Sequence, residues 1–67
     1  MKIEELRKQE EVVRQQIKMA SFHADAVKTD LTNHTRSLTL IRELERATNE
    51  ANKLAKMVVE FNAPGNN

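Results

Sequence analysis

Apolar side chains recur every three or four residues at Ile3, Leu6, Val13, Ile17, Ala20, Ala24, Val27 and Leu31, with Glu10 as one polar slot, and again at Leu40, Leu44, Ala47, Ala51, Leu54, Val58 and Phe61. This spacing follows the turn of an α-helix and places each series on one stripe. The second series is displaced by one residue from the continuation of the first, so the phase breaks between them. The break falls in Thr29-Asp30-Leu31-Thr32-Asn33-His34-Thr35-Arg36-Ser37. Short polar side chains there compete for backbone hydrogen bonds and favour caps and turns over helix interior. Asp30, Thr32, Asn33 and Thr35 are all candidate N-caps for a second helix, and none has the Glu or Gln three residues on that completes a capping box.

The spacing predicts an all-α chain: an antiparallel two-helix hairpin over residues 1–62, with arms at about 2–28 and 36–62, a turn at about 29–35 and a disordered tail over 63–67. Pro64-Gly65 cannot continue a helix. Folding the chain back near residue 32 sets Ile3 opposite Phe61, Leu6 opposite Val58, Val13 opposite Ala51, Ile17 opposite Ala47, Ala20 opposite Leu44 and Ala24 opposite Leu40. Several of these layers place a large residue against an alanine, as interdigitating helices do. The rival is one continuous helix pairing as a coiled coil, since the linker has neither Gly nor Pro and Leu38 and Ile41 continue the first phase across it.

A chain of 67 residues without cysteine has no disulfide or thiolate metal site to supplement its core. A lone helix pair buries little, so a second apolar stripe carries weight: Met19, Phe22 and Ala26 on the first arm, Leu38, Ile41, Ala55 and Val59 on the second. Covering it predicts self-association into a helical bundle, with a dimer as the simplest closed solution. Thr48 and Asn52 lie on this stripe, where a polar residue can fix register at some cost in stability.

The charges exclude several functions. Eleven Lys and Arg against ten Asp and Glu leave +1, too little to drive binding to nucleic acid or acidic membranes. The longest apolar run is Met57-Val58-Val59, far short of a membrane span, and the expectation is a cytoplasmic protein without membrane contact, in which the Asn33-His34-Thr35 sequon is incidental. No nucleophile with its base and no glycine-rich phosphate loop is present, so no enzyme is expected; Glu10 and Glu45 are the carboxylates nearest the apolar stripes for a site assembled between subunits. His23 and His34, with Asp25 and Asp30 nearby, lack the spacing of a helical metal pair; His23 is expected to border the second stripe near Ile41, and His34 to be a solvated turn residue. No metal or cofactor is implied. Pairs such as Glu10 with Arg14 and Arg46 with Glu50 support exposed helix and nothing more.

The function expected from these residues is a small non-enzymatic protein-interaction or regulatory module that docks an apolar helix face onto a protein partner. By base rate alone, such chains are often accessory proteins of phages or other mobile elements. The contact residues are Met19, Phe22, Leu38 and Ile41, with Arg36 and Arg42 orienting the partner at the rim. The alternative is a nucleic-acid-associated regulator in which Lys28, His34, Arg36 and Arg42 around the turn contact phosphates. Both phenylalanines are expected on buried stripes, which leaves no aromatic to stack on bases.

Overall fold

A computed structural model describes residues 2–63. The chain is all-α and folds as a helical hairpin: α1 spans Ile3–Thr29 and α2 spans His34–Asn62. The pair forms a rod with Cα extents of 52 × 15 × 12 Å. Of the tail predicted over 63–67, residues 64–67 lie outside the described residues.

Helix α1 begins without a side-chain cap at Lys2, but Glu4 and Glu5 sit in its first turn and Lys28 in its last, each complementing the helix dipole. At its far end the Asp30 N–H donates to the carbonyls of Ala26 and Val27, and Thr29 Oγ1 donates to the Asp25 carbonyl at 3.1 Å. The chain then reverses through a short connection. Asn33 N–H donates to the Asp30 carbonyl at 3.2 Å, and Thr32 Oγ1 donates to Asp30 Oδ1 at 3.0 Å.

Of the four candidate caps, Asn33 takes the position: its Oδ1 accepts from the Arg36 N–H at 3.0 Å. The helix therefore starts at His34, two residues earlier than the spacing suggests. Thr39 and Thr48, poor helix formers, are accommodated because their hydroxyls donate to the carbonyls four residues back, Thr35 and Leu44. At its C-terminus Ala63 is extended, with φ −67° and ψ 140°, as expected for the residue before a proline.

The seam between the helices differs from the predicted one at every other position. Leu6, Val13, Ala20 and Val27 on α1, and Leu40, Ala47, Leu54 and Phe61 on α2, are buried or half-buried as expected. The intervening seam positions, however, are Gln9, Gln16 and His23 on α1 and Glu43, Glu50 and Met57 on α2. The apolar residues assigned to those places, including Ile3, Ile17, Leu44 and Val58, are exposed, Ile17 at 57% and Leu44 at 50%. At about 100° per residue, moving alternate positions back by one rotates each helix by roughly 50°. Counting outward equally from Thr29 and His34 sets Val13 level with Glu50, Gln16 with Ala47, Ala20 with Glu43 and His23 with Leu40. Most layers thus join one polar and one apolar or alanine side chain. Among the described residues the buried apolar core is Leu6 and Ala20 alone.

The turn depends on one side-chain cap. Replacing Asn33 by Ala is expected to lower stability by about 1 kcal/mol, read as a lower thermal midpoint by circular dichroism at fixed concentration, whereas Asn33→Asp should stay near the parent.

Candidate functional site

Three features of the hairpin can carry chemistry or recognition: its polar seam, its basic turn and its exposed apolar side. In the seam, Gln9 Nε2 donates both to the Glu50 carbonyl at 2.9 Å and to Glu50 Oε2 at 2.7 Å, tying the helices together near their open end. Gln16 and Glu43 are the equivalent pair one heptad nearer the turn. There the match is incomplete: Gln16 Oε1, Glu43 Oε2 and His23 Nδ1 are buried without a hydrogen-bond partner. Glu43 is 7% exposed, and its other oxygen lies 3.7 Å from Arg46. Arg46 therefore pairs with Glu43 and not with Glu50, which Gln9 engages. The predicted Glu10 to Arg14 ion pair is present, and the Glu10 carboxylate, by hydrogen bond and charge, holds the Arg14 guanidinium above its ordinary pKa.

These polar groups join the two helices. Glu10 and Glu45 are separated by about eight levels along the rod, roughly 12 Å at 1.5 Å per residue, and do not converge within the chain. Among the described residues no cluster of three or more His, Asp or Glu is placed to hold a metal ion, and no helix is long and apolar enough to cross a membrane.

The basic residues Lys28, His34, Arg36 and Arg42 are all exposed near the turn. Arg36 and Arg42 are six residues apart and so point about 120° away from each other around α2. Arg36 and Arg42 therefore do not share one face of the helix.

The apolar side is more coherent. In an antiparallel pair the same flank of each helix faces the same side, so the exposed row Ile3, Ile17 and Ala24 of α1 lies on one broad face with Leu44, Ala51 and Val58 of α2. A shallow hollow lined by Leu6, Arg7, Glu10, Arg14, Leu54 and Val58 straddles both helices on this side. On α2, Ile41, Thr48 and Ala55 extend it outward, and Ile41, Leu44, Glu45, Thr48 and Asn49 line a second open groove. Together Ile41, Leu44, Thr48, Ala51, Ala55 and Val58 form a regular three-and-four-residue row along the exposed flank of α2.

The proposed contact residues divide across this geometry. Ile41 lies on the shared face. Leu38 is on the back of α2, and Met19 lies on the opposite flank of α1, beside Val12. Phe22 points outward at 71% exposure on the single chain, with its ring edge against His23 at 5.6 Å between centroids. His23 occupies the seam level with Leu40, and not a border near Ile41. The second stripe is therefore not one surface, and the spacing alone does not reveal the face defined by Leu44 and Val58, because it places both in the hairpin's interior. No family model, curated protein or solved structure matches the chain.

The unpartnered carboxylate oxygen of Glu43 gives a direct test of the seam. Because a buried polar atom without a partner costs about 1–3 kcal/mol, Glu43→Leu is expected to raise the urea midpoint, while Gln9→Ala, which removes both bonds to Glu50, is expected to lower it.

Proposed function

We propose that the chain is a non-enzymatic protein-interaction module that works by docking the apolar face centred on Leu44 against a helical protein surface. One observation carries the reading: large aliphatic side chains at Ile3, Ile17, Ile41, Leu44 and Val58 are exposed, most of them on one side of a rod with almost no core of its own. Contiguous exposed apolar surface of this kind marks an interaction site on a small domain. Regular helical spacing suits it to another helix, which would lay its own anchors at three- and four-residue steps into the grooves beside Ile41 and Leu44.

The nucleic-acid reading has weaker support, because Arg36 and Arg42 point about 120° apart around α2. The two readings respond differently to substitution. Affinity for the protein engaged is expected to fall by about 2 kcal/mol, roughly thirtyfold, in Leu44→Asp, as for a central apolar anchor. It should change little in the Arg36→Glu, Arg42→Glu double variant, with helicity preserved in both. Measured binding to duplex or single-stranded nucleic acid that falls steeply with salt and disappears in the double variant would overturn the proposal.

A further inference from the structure

We infer that the occupant of this face is a second copy of the chain, its α2 packed antiparallel on the first α2 with Thr48 at the two-fold axis. The inference rests on the docking face proposed above and specifies what covers it.

Surface area supports a stable partner of this size. The chain exposes 5332 Å². A compact monomer of 7.7 kDa is expected to expose about 4,300 Å² from the scaling of surface with mass. The excess, about 1,000 Å², follows from the elongated 52 × 15 × 12 Å rod, whose flank has room for the ~800 Å² that each partner contributes to a standard stable interface.

The side-chain sizes along α2 point to a copy of itself. From Ile41 to Ala55 the exposed row runs large, large, polar, small, small. Reversal about Thr48 lays Ile41 over Ala55 of the second copy, seven residues either side of the axis, and brings Leu44 to the level of Ala51 and Asn52. Large side chains then meet alanines on both halves of the contact, and Thr48 meets its own counterpart. A parallel pairing would instead put Ile41 on Ile41 and Ala55 on Ala55, crowding one end and leaving a void at the other. Stacking α2 on the partner's α1 would lay the apolar row over Arg7, Arg14 and Lys28, which share the corresponding face of α1. The α2 pairing instead leaves Arg14 on the α1 side, where Glu10 already neutralises it. The contact is isologous and closes at two copies.

The absence of native cysteine permits a clean geometric test. In solution the chain is expected to have twice the 7.7 kDa of its sequence, and Thr48→Cys is expected to form an intermolecular disulfide under mild oxidation while retaining helicity. Ile41→Cys should cross-link to Ala55→Cys in a mixture more readily than either links to itself, and Lys53→Cys, on the other flank, should not link. Leu44→Asp should halve the mass. A dimer that fails to link through Thr48→Cys overturns the inference. So does a chain that stays monomeric at millimolar concentration. If that monomer binds a hydrophobic dye and Leu44→Asp removes the binding, the docking face stands with a different occupant; if it binds no dye, the docking reading falls as well.

Discussion

The helices of this hairpin meet along rows in which every second position is polar, and this governs both its stability and its surface. Gln9, Gln16 and His23 face Glu43 and Glu50 across a seam otherwise filled by alanine and a few aliphatic side chains. A seam of that composition gains little from apolar burial. Its hydrogen bonds contribute only modestly, since each replaces one made to water, and its unpaired atoms oppose folding. Much of the apolar content of the chain remains on the outside.

Much of the architecture was legible in the residues. Two helical stripes with a phase break, and a polar stretch between them, imply a reversal, and the cap at Asn33 came from a short set of candidates. The seam was only half legible. Leu6, Val13, Ala20 and Val27, with Leu40, Ala47, Leu54 and Phe61, belong to two overlapping rows, one completed by aliphatic residues such as Ile17 and Leu44 and the other by polar ones such as Gln16 and Glu43. Hydrophobic spacing identifies the side chains that avoid water; it does not identify the neighbour that covers them. The aliphatic row was assigned to the opposite arm of the hairpin, whereas it lies on the flank.

The two rows are compatible once a helix can have more than one neighbour. In a bundle each helix buries a stripe wider than a two-helix seam requires. In the proposed dimer the shared positions would lie between both contacts, the polar row, with Gln9 and Glu43 already buried in the hairpin, would stay in the seam, and the aliphatic row would face the added layer. The same logic removes Phe22 and Met19 from the docking face, since they project from the far flank of α1.

The double grip of Gln9 on Glu50 also acts as a longitudinal stop. Sliding α1 by a heptad toward the open end would bring Met57 to Gln9, and a thioether does not offer the carboxylate that the amide now holds. Alanine-lined grooves tolerate such slippage easily, so this pin fixes the alignment of the two arms and, through it, the position of every aliphatic side chain displayed on the flank.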